Sequence, residues 1–224
     1  MFENYNNNKK RNQILLVSFF LFVFLFAEKH ILVYNIKKEN RKMKKHKVII
    51  LVGPGGVGKS TISQYLCSHY PDSFQETVSC TTRQIRKGEK NGVHYYFLSE
   101  KEFAEKIKND EFLEYNLFPN GNMYGTLYSE INNILKTKNC IMVIDPSSAV
   151  KLKEKLADYE VLTVFLDIDD DSLISRLKGR GDDDGSIMQR ILIAHEERNF
   201  KGKCDISLMA ENVEKTAKAI YEIV

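Results

Sequence analysis

From residue 48 onward, the chain alternates short apolar runs with longer segments whose apolar residues recur every three or four positions. The runs that predict β-strands lie at 48–52, 141–144, 161–166 and 206–209. The segments that predict helices lie at 60–69, 150–156, 172–177, 187–198 and 213–223. Strands that alternate with helices predict an α/β fold: a parallel sheet with right-handed crossovers, flanked by helices.

The pattern changes between residues 77 and 127. There Gly88, Gly92, Gly121 and Gly125 separate short segments rich in aromatic residues. We interpret this stretch as a small β-rich lobe inserted into the α/β frame. The predicted domain then covers 43–224, with its core at 43–76 and 128–224 and the inserted lobe at 77–127.

A glycine-rich motif follows the first predicted strand directly. Residues 53–60 read GPGGVGKS and match the phosphate-binding loop pattern G-x-x-x-x-G-K-[ST] between a strand and a helix. In such a loop backbone N–H groups surround phosphate oxygens, Lys59 reaches the β- and γ-phosphates, and the Ser60 hydroxyl ligates Mg²⁺. The residues predicted to bind ATP are Gly53, Pro54, Gly55, Gly56, Val57, Gly58, Lys59, Ser60 and Thr61. The loop does not identify the acceptor, because kinases, GTPases and ATPases share it.

Composition and charge narrow the partners. The 224 residues are 43% hydrophobic, which can supply a substantial core. Residues 1–47 hold 11 Lys/Arg against 3 Asp/Glu, and the remainder holds 22 against 27. The basic excess therefore lies outside the motif-bearing region, and no nucleic-acid partner is expected.

The four cysteines show neither C-x-x-C pairing nor zinc-ligand spacing. We expect reduced thiols that serve as packing residues, as in intracellular proteins. A reactive thiol at Cys80 stays open as an alternative, because that residue lies within a functional segment described below.

An apolar run at 14–27 precedes the domain, and basic residues flank it on both sides. Its 14 residues suit a signal-peptide core better than a full bilayer span. Three interpretations stay open: translation starting at Met43, a membrane anchor or organelle-targeting segment, and secretion. An anchor would keep the domain cytoplasmic under the positive-inside rule, and ATP chemistry argues against export. We therefore expect a cytoplasmic domain that contacts a membrane only through this run.

A spaced set of residues within the predicted lobe points to a family. It comprises SCTTRQIRKGE at 79–89, then Gly92, Tyr95 and Phe97, then FLE at 112–114 and YGT at 124–126. With the phosphate-binding loop, this set resembles the guanylate kinases from about residue 47 to the C-terminus. The resemblance implies ATP-dependent phosphorylation of GMP, and of dGMP, with Mg²⁺.

The chemistry of these residues agrees with that resemblance. Arg83 and Arg86 offer forked donors for the phosphate of a nucleoside monophosphate, and the Tyr95 and Tyr124 hydroxyls complete the cage. Guanine presents N–H donors beside its O6 acceptor, so the resemblance gives carboxylates and hydroxyls the task of reading it. The residues assigned to GMP in this way are Ser79, Arg83, Arg86, Glu89, Tyr95, Glu114, Tyr124, Thr126 and Asp145.

The resemblance also implies a mobile lid at about 178–192. Arginines there would neutralise the transferring phosphate, and lid closure would exclude water. The predicted catalytic residues are Lys59, Arg83, Arg176, Arg180 and Arg190. The acidic run 182–184 is either a solvated loop or a partner of the lid arginines before closure.

Several positions depart from the family pattern. Val143 stands where the family has the first Asp of an Asp-x-Asp pair, Ser148 replaces a Gly, and Ala210 replaces an Asn near the adenine. Asp170 and Asp171 replace a Pro-Pro pair. Two alternatives therefore stay open: a guanylate-kinase-like protein-binding module and a kinase for another nucleoside monophosphate. The sequence leaves the oligomeric state unknown.

Overall fold

The computed structural model describes residues 46–118 and 121–224. The apolar run 14–27 and Met43 lie outside the described residues. Within the described ranges, no helix is both long and apolar enough to cross a bilayer.

The elements follow one another in an alternating order. They are β1 (Val48–Val52), α1 (Lys59–His69), β2 (Phe74–Glu76), β3 (Cys80–Thr81), β4 (Tyr96–Phe97), α2 (Glu100–Lys108), β5 (Phe112–Leu117), β6 (Met123–Leu127), α3 (Tyr128–Ile134), β7 (Asn139–Val143), α4 (Pro146–Lys155), β8 (Val161–Asp167), α5 (Asp170–Gly179), α6 (Asp184–Arg198), a 3-10 turn (Lys201–Lys203), β9 (Ile206–Met209) and α7 (Val213–Ile223).

Five strands form a parallel sheet in the order β2-β7-β1-β8-β9. All five residues of the central strand β1 have 0% exposure, because a strand pairs with β1 on each side and other elements cover both of its faces. Ile49 and Leu51 pack with α1, α5, α6 and α7, whereas Val48, Ile50 and Val52 pack with α3 and α4. Helices therefore flank both faces of the sheet, which confirms the predicted fold class.

A second sheet of four strands has the order β4-β3-β6-β5. Strands β3 and β4 run parallel, and β6 pairs antiparallel with both β3 and β5. Its small core consists of Cys80, Phe103 and Phe112, of which Phe103 comes from α2. This sheet lies between β2 and α3 in the chain, within the segment interpreted above as an inserted lobe.

Three helix boundaries differ from the predicted ones for a common reason. Helices α4, α5 and α6 each begin earlier than their apolar patterns, because Asp145, Asp169 and Asp183 cap them by accepting from the backbone N–H three residues on. The prediction of a helix at 150–156 was thus four residues late at its start. Strand β2, with three residues at the sheet edge, was not predicted at all.

Candidate active site

The phosphate-binding loop directly follows β1, whose five residues are all fully buried. β1 ends at Val52, and Gly53, Gly56 and Gly58 then take positive φ values of 134°, 99° and 104°. A Cβ on Gly53 would fall on the Leu166 carbonyl oxygen of β8, so only glycine fits there. The start of the loop is therefore fixed by direct contact with the neighbouring strand.

Lys59 opens α1 and folds back over the loop. Its Nζ donates to the carbonyl oxygens of Gly53 at 2.5 Å and Pro54 at 3.2 Å. Burial lowers the pKa of this ammonium, while the negative charges of Glu197 and Asp145 oppose that shift. The next two residues, Ser60 and Thr61, are exposed in the first turn of the helix.

Two of the three predicted lid arginines lie against this loop. Arg176 donates from Nη1 to the Val57 carbonyl at 2.6 Å, and from Nη2 to the Ala210 and Glu211 carbonyls at 2.7 and 3.1 Å. It therefore ties α5 to the loop and to the segment after β9.

Arg190 reaches the same loop from α6. Its Nη1 lies 3.5 Å from the position that a Cβ on Gly55 would take, and its Nε lies 3.2 Å from Asp182 Oδ2. Asp183 instead caps α6. Arg180 is exposed at the end of α5. Among the three acidic residues 182–184, Asp182 is thus the one in an ion pair with a lid arginine.

In the second sheet, Arg83 forms a forked ion pair. Its Nη1 and Nη2 donate to the two carboxylate oxygens of Glu89 at 3.0 and 2.7 Å, and the rings of Tyr95 and Phe97 lie 5.4 and 5.6 Å from the guanidinium carbon. The Tyr124 hydroxyl is a further polar neighbour of Arg83. Two of the predicted phosphate residues, Tyr95 and Tyr124, thus lie beside the guanidinium of a third, Arg83.

Glu89 is the organising anion of this group. Besides Arg83, it accepts from the backbone N–H of Arg86 at 2.7 Å. The hydrogen bonds from Arg83, followed by that from Arg86, lower the pKa of Glu89 to about 2. The side chain of Arg86 is exposed. Glu89, predicted to bind GMP, therefore positions the two arginines.

A hydrogen-bonded chain joins three of the four residues predicted to read the base. Thr126 Oγ1 donates to Glu114 Oε1 at 2.9 Å and lies 3.4 Å from Ser79 Oγ. Thr126 is only 2% exposed, and burial raises the pKa of Glu114. The negative charge of Asp145 also contributes to the raised pKa of Glu114. The Oδ1 atom of Asp145 accepts hydrogen bonds from Ser147 Oγ and from the Ser148 N–H. The pairing of β5 with β6 thus brings Glu114 and Thr126 together, next to Ser79, which directly precedes β3.

Sequence reasoning missed two acidic residues. Glu130, 8% exposed at the start of α3, accepts from the Val78 N–H at 3.2 Å and from the Tyr96 hydroxyl at 3.1 Å. It thereby fixes the segment that carries Ser79. Glu197, on α6, lies beside Lys59. Neither residue belongs to a motif, and only their contacts across the fold reveal them.

The departures from the family pattern have definite places. Val143 ends β7 and is partly buried against the main core, so it adds no carboxylate beside Asp145. Ala210 is 1% exposed and presents its carbonyl to Arg176. Asp170 accepts from Arg198 at 2.6 Å and contacts His195 at 2.7 Å, so it joins α5 to α6.

The four cysteines are all free thiols. Burial raises the pKa of Cys80 to about 11, so this thiol stays protonated at neutral pH and gives no support to the reactive alternative. Among the described residues, no three His, Cys, Asp or Glu side chains form a group that could hold a metal ion.

The fold and the phosphate-binding loop define a P-loop α/β phosphotransferase with a second, smaller sheet. Known proteins resemble the chain over the same region. The sequence profile named "Guanylate kinase" matches residues 45–224. A guanylate kinase of Mycoplasmopsis synoviae is 36% identical over 190 residues, which span 80% of this chain and 94% of that protein. One from Clostridium perfringens is 38% identical over 191 residues, which span 84% and 85%.

A solved structure agrees with these sequences. The crystal structure of guanylate kinase from Anaplasma phagocytophilum has a TM-score of 0.58 and 28% identity, and it covers 81% of this chain and 86% of its own. This chain belongs to the guanylate kinase family. The predictions of the family, the fold and an enzyme of this kind are therefore confirmed, and nothing in these comparisons favours a binding module or a different kinase.

Proposed function

We propose that the described residues carry out the guanylate kinase reaction, the transfer of the γ-phosphate of ATP to GMP, in the roles set out below. The observation that carries this assignment is the chain from Ser79 through Thr126 to Glu114, present in the same protein as a complete phosphate-binding loop. The loop accounts for ATP, and the hydrogen-bonded chain accounts for the acceptor base.

The base is read by Glu114 and the two hydroxyls. An ionised Glu114 accepts from the N1–H and N2–H₂ groups of guanine, and Ser79 and Thr126 serve O6. Burial raises the pKa of Glu114, so guanine donors that stabilise its charged form are favourable partners. Adenine lacks those donors, and an unpaired buried polar group costs about 1–3 kcal/mol. Asp145 is assigned to the same edge of the base.

The phosphate of GMP is assigned to Arg83, Arg86, Tyr95 and Tyr124. Glu89 holds Arg83 in its forked orientation, which lowers the entropy that the arginine loses when phosphate binds. These groups face the base and the phosphate, with none assigned to the ribose. We therefore expect dGMP to be an acceptor as well.

The triphosphate of ATP is assigned to residues 53–61, with Lys59 at the β- and γ-phosphates. Mg²⁺ fits this site as an ion carried by the nucleotide, because the described residues offer the Ser60 hydroxyl but no carboxylate cluster. When bound, Mg²⁺ neutralises phosphate charge in the transition state. Arg176, Arg180 and Arg190 are assigned to the transferring phosphoryl group, with Arg176 also holding the loop.

The location and partners of the protein are part of the same proposal. A domain that uses ATP and GMP works in the cytoplasm, and membrane contact would come only through the apolar run 14–27. No nucleic-acid partner is proposed.

A coupled assay with Mg·ATP against GMP, dGMP, AMP, CMP and UMP tests these roles. Wild-type protein is expected to phosphorylate GMP and dGMP. Glu114→Gln is expected to raise the KM for GMP by about tenfold or more, because the amide presents one N–H to the guanine donors. Glu105→Gln, an exposed change on α2, is the matched control and is expected to leave both constants unchanged. Folded protein that prefers AMP, or that phosphorylates none of the five, would contradict the assignment.

A further inference from the structure

One face of α6 lies against the phosphate-binding loop. Arg190, Ala194 and Glu197 follow one another at spacings of four and three, so they share that face. Ala194 is 0% exposed. Arg190 Nη1 lies 3.5 Å from the position of a Cβ on Gly55, and the backbone N–H of the same Gly55 interacts with the Glu197 carboxylate. Helix α6 therefore brings one positive and one negative side chain to a single residue of the loop.

Glu197 is incompletely satisfied by its surroundings. Its Oε2 atom is buried and accepts no hydrogen bond from any residue in the described ranges. A buried carboxylate oxygen without a donor is unfavourable, so some other interaction must compensate for it. The positive charge of Lys59 favours the ionised form of Glu197. In turn, the negative charge of Glu197 favours the charged form of Lys59, and it does so more strongly than that of Asp145.

The residues on either side of Glu197 in α6 have other surroundings, so neither of them takes part in the interaction between Glu197 and Lys59. Arg198 donates to Asp167 at 2.9 Å and to Asp170 at 2.6 Å, and its bonds hold the end of α6 against β8 and α5. Glu196 is exposed. The helix end is therefore anchored without Glu197, whose carboxylate interacts with the Gly55 N–H and with the charge of Lys59.

Phosphate uses the same two partners. A phosphate-binding loop binds its ligand through backbone N–H groups and the lysine, which here include the Gly55 N–H and Lys59. A carboxylate and a γ-phosphate carry charges of the same sign, and at a partly buried site such repulsion is weakly screened. Both anions cannot keep these partners at once.

We propose that Glu197 is a positioning residue of the donor site, a built-in counter-anion beside the Gly55 N–H and the charge of Lys59, which the triphosphate of ATP displaces. This inference rests on the proposed function, in which residues 53–61 bind ATP.

The sign of the effect on ATP affinity separates this role from a merely structural one. Glu197→Gln keeps the size of the side chain and removes its charge, so ATP no longer competes with an anion. We expect the Kd for ATP, and that for inorganic tripolyphosphate, to fall by about threefold to tenfold, the scale of one pKa unit. The KM for ATP should fall by a similar factor, whereas the KM for GMP should not change. Damage to the loop would instead weaken ATP binding.

Titration calorimetry on the full chain gives these constants, with Glu196→Gln as the matched control on the same helix. Glu197→Asp is a second variant, whose shorter carboxylate withdraws from Gly55 and should tighten ATP binding to a smaller extent. Unchanged or weaker ATP binding in both variants would overturn the proposal.

The outcome is distinguishable from failure of the proposed function. Wild-type protein that binds ATP and phosphorylates GMP, with variants that bind ATP no tighter, refutes the role of Glu197 alone. Wild-type protein that is folded but binds no ATP refutes both.

Discussion

At the scale of single residues, charged side chains in this protein are held by other side chains, and substrate binding has to work through those contacts. Arg83 and Glu89 are the clearest case, since their side chains retain only 11% and 18% exposure and meet through two hydrogen bonds. Lys59 is held by two backbone carbonyls. These contacts fix the positions of two side chains proposed to bind phosphate.

The Arg83–Glu89 pair makes stability depend on pH. The pKa of Glu89 is about 2 in the folded protein against a reference value of 4.5, so its ionised form stabilises the fold at neutral pH. That stabilisation is present above pH 4.5 and is lost as the pH falls towards 2. We expect Glu89→Gln to lower the Tm at pH 7 and to have a smaller effect at pH 3. Thermal denaturation of both proteins across that range measures the difference, and a gap in Tm that widens towards low pH would contradict it.

At the scale of elements, β5 and β6 form one unit that carries two of the residues proposed to read the base. Their pairing places Glu114 directly opposite Thr126, and Gly125 of β6 pairs with Tyr115 of β5. A Cβ on Gly125 would lie 2.7 Å from the Glu114 carbonyl oxygen and 2.8 Å from the Tyr115 Cβ. The closeness of the two strands therefore depends on the missing side chain.

Gly125→Ala is expected to separate β5 from β6 and to affect one substrate only. The KM for GMP should rise by about tenfold, since the hydrogen bond between Thr126 and Glu114 is disturbed, while the Kd for ATP should stay the same. Gly202→Ala is the control, because a Cβ there meets nothing within 4 Å. Steady-state kinetics with each nucleotide varied in turn provide the measurement, and an equal loss for ATP would refute the separation.

The turn between α5 and α6 contains an aspartate whose ion pair with a lid arginine can be tested by mutation. Asp182 lies 3.2 Å from Arg190, whereas Asp183 caps α6. Asp182→Asn should release Arg190 and change the KM for ATP or the turnover number by about twofold to fivefold, because partly exposed ion pairs are weak. Asp184→Asn serves as the control. Identical kinetics for both variants at low and high ionic strength would show that the acidic run is only a solvated loop.

The accuracy of the sequence-based predictions also varies by element. The last strand and the last helix lie at 206–209 and 213–223 as predicted, because apolar periodicity alone defines them. Helix starts were late, since aspartate caps such as Asp145 precede the apolar positions. Strand β2 was missed because three residues are too few to show a period.

For the site, sequence motifs identified residues whose proposed roles depend on neighbours close in sequence, such as Lys59 in the phosphate-binding loop and Arg83 in the segment 79–89. The contacts of Glu130 and Glu197 could not be predicted from the sequence, because each joins segments that are distant along the chain. The assigned roles in GMP and ATP binding stay predictions until the assays above are done.

At the scale of the whole molecule, the described residues lie within one large fold unit, which the matched family profile also covers. Its main sheet is packed on both faces, and the two packed clusters meet along β1. The residues that define the fold and both nucleotide sites all lie within this unit.

A protein comprising residues 43–224 is therefore expected to fold and to phosphorylate GMP. Its Tm should match that of the full chain, and its kcat should agree within about twofold, since no residue assigned to binding or catalysis precedes Gly53. Comparison of the two proteins by thermal denaturation and the coupled assay gives the answer. Loss of activity in the shorter, folded protein would show that residues 1–42 contribute to the reaction.

The unequal cores of the two sheets have a consequence for how the molecule opens. Three buried residues support the second sheet, whereas the main sheet draws on clusters of 17 and 12. Amide protons of β5 and β6 should therefore exchange with solvent through local openings, while those of β1 should exchange only when the whole domain unfolds. The residues proposed to recognise guanine thus lie in the part expected to open often, and the loop proposed to bind ATP follows the strand expected to open last.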